Sequence, residues 1–148
     1  MATEPTYASH GIDDLSVGMS DSFTKTVSEA DIVGFAEISG DHNPVHMDED
    51  YAKTTPFKAR IAHGMLSAAY ISTVFGTQLP GAGCIYLSQT LKFRAPVRIG
   101  DKVTATVTIT AIDQERRRVT FDTACSVGDT VVLSGEAQLM VPPGSLAK

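Results

Sequence analysis

Between Ile61 and Leu91 the chain carries no Lys, Arg, Asp or Glu. Within that stretch "HGMLSAAYISTVFG" reads as a helix from about Gly64 to Phe75 that is apolar or small on every side, which predicts complete burial. A membrane span does not fit, because the apolar part is too short and Ser67, Ser72, Thr73 and Gln78 interrupt it. Any fold for this chain therefore has to wrap protein around one central helix.

The wrapping material follows directly. "CIYLSQTLKFRAPV" predicts a strand ending near Pro96. "KVTATVTITAI" then alternates Val103, Ala105, Val107 and Ile109 against Thr104, Thr106, Thr108 and Thr110, the two-residue period of a strand with one buried face. "RVTFDTACSV" and "VVLSGEAQLMV" continue it, with turns at Asp113-Gln114-Glu115-Arg116 and Gly128-Asp129. Upstream, "SFTKTV" reads as a strand, and Ser28 with Asp31 three residues on predicts a capped helix. Ile32, Phe35 and Ala36 share one face of that helix, and Gly40 ends it. The sum is an α+β domain, a helix embraced by one curved antiparallel sheet. One sheet covers only part of such a helix, so a second copy of the chain, forming a homodimer, is expected over the remainder and over the open sheet edge. At 148 residues the chain makes one domain, read as residues 20–141 with an arm at 1–19 and a tail at 142–148.

A net charge of -5 with only 12 Lys and Arg argues against a nucleic-acid surface, and Arg116-Arg117-Arg118 reads as a hairpin tip. Cys84 and Cys125 form no CxxC pair, so reduced, buried thiols are expected. The opening residues show no basic region followed by an apolar stretch, and the expectation is a cytoplasmic protein.

Chemistry is concentrated in "SGDHNPVH", residues 39–46. Pro44 removes a backbone donor and forces Asn43 out of the α region, so the preceding helix cannot continue and a stiff, non-helical turn is expected. His42 and His46 have the spacing of a helical metal pair. Without a helix they need not share a face, and no Glu follows the first His as in HExxH, so no metal site is expected. What remains is Asp41 and His46, a carboxylate and an imidazole able to converge on one water for acid–base work. The same residues also suit a purely local role, with Asp41 as a cap, Asn43 in an Asx-turn and His46 as a satisfied polar group. Eighteen residues after His46, Gly64 opens the uncharged helix, where a free N–H could hold a carbonyl oxygen as charge develops on it; tight packing against the sheet would equally call for glycine there. An acid–base pair and an oxyanion donor in one small fold imply proton chemistry beside a carbonyl.

The run from Phe35 to Ala52, "FAEISGDHNPVHMDEDYA", resembles the hydratase-2 motif of the MaoC-like hot-dog family, especially its short (R)-specific enoyl-CoA hydratases. The likeness extends through "ARIAHGML" and "GTQLPGAGCIYLSQTLKFRAPVRIGDKV" to "GEAQLMV", covering roughly residues 20–141. It implies a hot-dog fold, dimerised, acting on an acyl-CoA thioester. Asp41 and His46 would be the catalytic pair holding water, the Gly64 amide the oxyanion donor, and Asn43 and Pro44 the shapers of the turn. Ser72 matches a family position close to the catalytic pocket. The implied reaction is reversible syn addition of water to trans-2-enoyl-CoA, giving (R)-3-hydroxyacyl-CoA. It needs no metal, flavin or nicotinamide, and it belongs to fatty acid metabolism and polyhydroxyalkanoate precursor supply. The alternatives are a dehydratase acting on an acyl carrier protein or a branched acyl-CoA, a thioesterase, and a non-catalytic acyl-CoA-binding domain. Lys92 and Arg94 are scattered candidates for the CoA phosphates. Leu66, Tyr70, Val74 and Phe75 line either a tunnel or the core.

Overall fold

The computed structural model describes residues 7–146. The chain runs β1 (Ser20–Thr26), α1 (Glu29–Ser39), α2 (Pro44–Met47), α3 (Glu49–Lys53), α4 (Gly64–Thr77), β2 (Ile85–Gln89), β3 (Lys92–Phe93), β4 (Lys102–Asp113), β5 (Arg118–Val127) and β6 (Thr130–Met140). The strands form one antiparallel sheet in the order β1-β4-β5-β6-β2, with the short β3 also paired to β6. The central helix α4 lies against β4, β5 and β1, which is the hot-dog arrangement expected from the sequence.

The alternation of β4 translates directly into packing. Val103, Ala105, Val107 and Ile109 are at most 1% exposed, while the threonines between them are not buried. The pattern breaks after Ile109, where the pairing with β5 shifts register, so the outer end of the hairpin no longer alternates cleanly. From α4, Leu66, Tyr70, Ile71, Val74 and Phe75 all enter the core. Phe75 sets its ring edge-on to Phe121 at 4.8 Å and to Tyr86 at 5.1 Å. Burying each large apolar side chain contributes about 1.5–3 kcal/mol, so this face dominates the domain's stability.

The capping reading of α1 holds in detail. Ser28 accepts from the Asp31 N–H while the Asp31 carboxylate accepts from the Ser28 N–H, and Gly40 closes the helix with φ 80°.

Three expectations need correction. The stretch up to Pro96 is two strands, because Gly135 of β6 brings its backbone against the Thr90 carbonyl and separates β2 from β3. Helix α4, as expected of a helix covered by one sheet, is not wholly buried within one chain. Met65, Ala69, Ser72 and Gly76 form an exposed stripe, with Met65 52% exposed, because a single sheet can cover only one side of a helix. Arg118 belongs to β5 and leaves Arg116 and Arg117 at the turn. The turn at 43–47 is itself helical, as described below. In addition, Ile12 and Leu15, within the stretch read as an arm, are 5% and 6% exposed and join the core.

A Cβ at position 135 would lie 1.8 Å from the Thr90 oxygen, a backbone atom with no freedom to rotate away. Gly135→Ala should cost about 2 kcal/mol in urea denaturation, with the loss expressed as a lower midpoint at unchanged slope.

Candidate active site

The candidate turn starts where Gly40, in the left-handed region, reverses the chain out of α1. Asp41 follows, its N–H donating to the Ser39 hydroxyl at 3.2 Å and its carboxylate accepting from the Asn43 N–H at 3.1 Å. Asn43 caps the next turn by accepting from the Val45 N–H at 3.1 Å, and Pro44 takes the first helical position, where its missing N–H costs nothing. Pro44 therefore ends one helix and begins another, and His46 sits on the single turn of α2 rather than on a non-helical segment. Asn43 and Pro44 do shape the turn, by capping it and by fixing its first residue.

His46 is 9% exposed. Its Nδ1 lies 2.7 Å from the Ile61 carbonyl. A carbonyl only accepts, so Nδ1 carries the proton and Nε2 keeps its lone pair. Burial lowers the ring's pKa below the usual histidine value, assisted by His63 and opposed by the Ile61 hydrogen bond and by Asp41. Burial thus favours the uncharged ring. His42, by contrast, points away: it is exposed, its Nε2 meets Glu37 at 3.2 Å and its Nδ1 the Gly40 carbonyl at 3.3 Å. The Glu37 contact raises its pKa.

Segment 60–63 closes around this turn. The Ile61 N–H donates to the Val45 carbonyl at 3.3 Å, and Arg60, 9% exposed, donates from Nε to the His46 carbonyl at 2.6 Å and from Nη1 to Glu29 at 2.7 Å. Donor atoms of Asp41, His46 and His63 lie within 4.8 Å of one another. Three such side chains invite a metal reading. The His46 and His63 rings, however, stack at 3.9 Å with an interplanar angle of 27°, so their in-plane lone pairs run side by side instead of meeting at one ion.

Gly64 is the first residue of α4. Its N–H belongs to the helix end that has no intrahelical acceptor, so it is available to an oxygen in the adjoining cleft. The glycine has a second cause: a Cβ here would sit 2.5 Å from the Phe93 ring, which packs on the glycine. His46, His63, Gly64 and Ser67 share a cleft of about 300 Å³ whose walls include Phe57 and Phe93. Arg94 is also at this cleft, donating to Ser134 at 2.7 Å, whereas Lys92 does not line it.

The fold therefore places Asp41 beside His46, and His46 with Gly64 in the cleft. Ser72 is not in it. It lies on the exposed stripe of α4 and lines a separate apolar groove with Phe35, Met65, Tyr86 and Leu87, because it is five positions after Ser67 and helical rotation carries it round to another face. Sequence reasoning missed Arg60, His63 and Ser67. The signal available was "ARIAHG", a lone cation and a lone histidine in an otherwise uncharged approach to α4.

The family model described as "MaoC like domain" matches residues 16–132. The chain is 59% identical to the (R)-specific enoyl-CoA hydratase of Rhodospirillum rubrum, over 90% of this chain and 92% of that one. It is 55% identical to the 3-hydroxybutyryl-CoA dehydratase of Methylorubrum extorquens, over 88% and 83% respectively. Among solved structures, the unliganded R-hydratase PhaJ1 of Pseudomonas aeruginosa superimposes with a TM-score of 0.89 at 42% identity, covering 93% of this chain and 89% of that one. A helix wrapped by one antiparallel sheet, a capped turn carrying Asp41 and His46, and these likenesses converge on one conclusion: the chain belongs to the MaoC-like family.

Proposed function

We propose that the chain is an (R)-specific enoyl-CoA hydratase, adding water reversibly across trans-2-enoyl-CoA to give (R)-3-hydroxyacyl-CoA. The observation that carries this reading is His46. Its Nδ1 is committed to the Ile61 carbonyl, so its Nε2 lone pair is left to act beside Asp41 in a cleft that also holds the start of α4.

In this reading the thioester carbonyl accepts from the Gly64 N–H, which draws electron density from C3 and stabilises the enolate-like oxygen that forms. Water held between Asp41 and His46 gives its proton to His46 Nε2 as its oxygen bonds to C3. A proton returns to C2 from the same pair. Hydroxyl and hydrogen then arrive on one face of the double bond, which is why a single acid–base pair suffices for syn addition. No step calls for a metal or a redox cofactor, since water and two side chains supply every atom and proton.

The reading extends to a homodimer in the cytoplasm that supplies (R)-3-hydroxyacyl units for polyhydroxyalkanoate synthesis. For the dimer, the supporting features are the stripe Met65, Ala69, Ser72 and Gly76 and the edge strand β2. Ile85, Tyr86 and Leu87 of β2 are 55%, 39% and 40% exposed, without the charges that usually guard a sheet edge. No helix among the described residues is long and apolar enough to cross a membrane.

With crotonyl-CoA as substrate, Asp41→Asn and His46→Gln should each lower turnover by about 100-fold or more with the fold intact; near-normal rates in either variant would remove that residue from the mechanism. Loss of the enoyl thioester absorbance marks hydration, whereas release of free thiol would mark a thioesterase. The acid limb of kcat/KM should fall below the ordinary histidine value of about 6.5, and His42→Gln should leave it in place. Because the folded His46 takes up a proton less readily than the unfolded chain, its contribution to stability is full above about pH 6.5 and is lost as pH falls through the lower folded value, which urea denaturation at a series of pH values will show. Sedimentation should give twice the 15.7 kDa chain mass, and Leu87→Lys should return it to one.

A further inference from the structure

We propose that His63 is a positioning residue of the site, its ring holding the Asp41 main chain by a hydrogen bond and the His46 imidazole by stacking. The inference rests on the hydratase reading for its catalytic meaning but on geometry for its substance.

His63 is 3% exposed and lies between two rings: Phe35 of α1 at 4.8 Å on one side and His46 of α2 at 3.9 Å on the other. Its Nε2 is 2.9 Å from the Asp41 carbonyl, an acceptor only, so Nε2 carries the proton. Every other hydrogen bond that holds Asp41 is local, to Ser39 and Asn43 within two residues. The bond from His63 spans 22 residues and ties the exposed aspartate to the base of α4. His46 is secured on its edge by Ile61 and through its carbonyl by Arg60, and the His63 ring covers its face. One side chain thus sets the spacing between the carboxylate-bearing turn and the imidazole, and does so immediately before Gly64.

The other nitrogen of His63 distinguishes positioning from packing. Nδ1 is buried and has no hydrogen-bond partner among the described residues. A position required only to fill space between Phe35 and His46 would be better served by phenylalanine, which stacks as well and strands no polar atom. The cost of burying Nδ1 is accepted for what Nε2 does. The bond to the Asp41 carbonyl fixes the neutral ring as the Nε2–H tautomer, which leaves Nδ1 as the nitrogen without a proton. His46, whose Nδ1 is the protonated nitrogen, is the opposite tautomer of its stacked neighbour, and only His46 keeps an Nε2 lone pair for water.

His63→Phe retains the stack and deletes the tie; His63→Gln retains a donor and deletes the ring. Both should fold as judged by circular dichroism and melting. His63→Phe should lose about ten- to hundredfold in kcat on crotonyl-CoA with KM within about twofold, and His63→Gln should recover part of that loss. A folded His63→Phe with unchanged kcat, or one whose defect lies wholly in KM, would overturn the proposal. Should His63→Phe fail to fold, His63→Gln decides on the same terms: a kcat defect at constant KM upholds the role and normal kinetics end it. Histidine ¹⁵N spectra of the unmodified protein add a readout independent of turnover. An Nε2–H signature for His63 beside an Nδ1–H signature for His46 is expected, and a neutral His63 ring protonated on Nδ1 alone overturns the geometry. If the unmodified protein does not hydrate crotonyl-CoA, the hydratase reading fails on its own, and the spectra still decide whether His63 holds Asp41.

Discussion

Leu66, Tyr70, Ile71, Val74 and Phe75 press one face of α4 into a sheet whose inner surface is made by Val103, Ala105, Val107, Val119 and Phe121. This burial anchors the start of the helix, and the start of the helix anchors the site. Residues 60–63 are the lead-in to α4, so their grip on the catalytic turn is as rigid as the core beneath them. Without that packing the loop between α1 and α3 would have only local caps to hold it, and two short helical turns are marginal by themselves.

The absence of charge from Ile61 to Leu91 serves packing and chemistry together. A helix wrapped by protein cannot carry ions without heavy desolvation, and in the proposed reaction an N–H that stabilises a developing oxyanion works best where water and competing charges are excluded. The same surroundings hold His46 below its usual pKa, so that the imidazole is a neutral base without a strong local charge to make it one. Arg60, the last cation before the stretch, is paired in place with Glu29 and spends its other bond on the His46 carbonyl.

Proline at position 44 shows how one residue is read two ways. Its ring forbids continuation of α1, which made the turn look irregular; the same fixed φ suits the first position of a new helix, and Asn43 supplies the cap. Likewise Gly64 can be read two ways, as the oxyanion donor of the proposed reaction and as the room that the Phe93 ring takes where a side chain would be.

The two-residue period of β4, the Ser28 and Asp31 capping pair, the Gly40 stop and the candidates Asp41, His46 and Gly64 were legible in the sequence, because each depends on residues close along the chain or on a repeat that only one kind of element satisfies. Other features were settled only in three dimensions. Whether Ser72 or Ser67 faces the cleft depends on how α4 is rotated against the sheet, and whether the strand after Cys84 is continuous depends on a glycine more than forty residues away. His63 and Arg60 gain their roles from partners 22 and 14 residues distant, through hydrogen bonds to backbone carbonyls. A carbonyl is present at every residue and leaves no mark in the letters. Local chemistry therefore declared which residues could react, while the packing of α4 decided which others hold them in place.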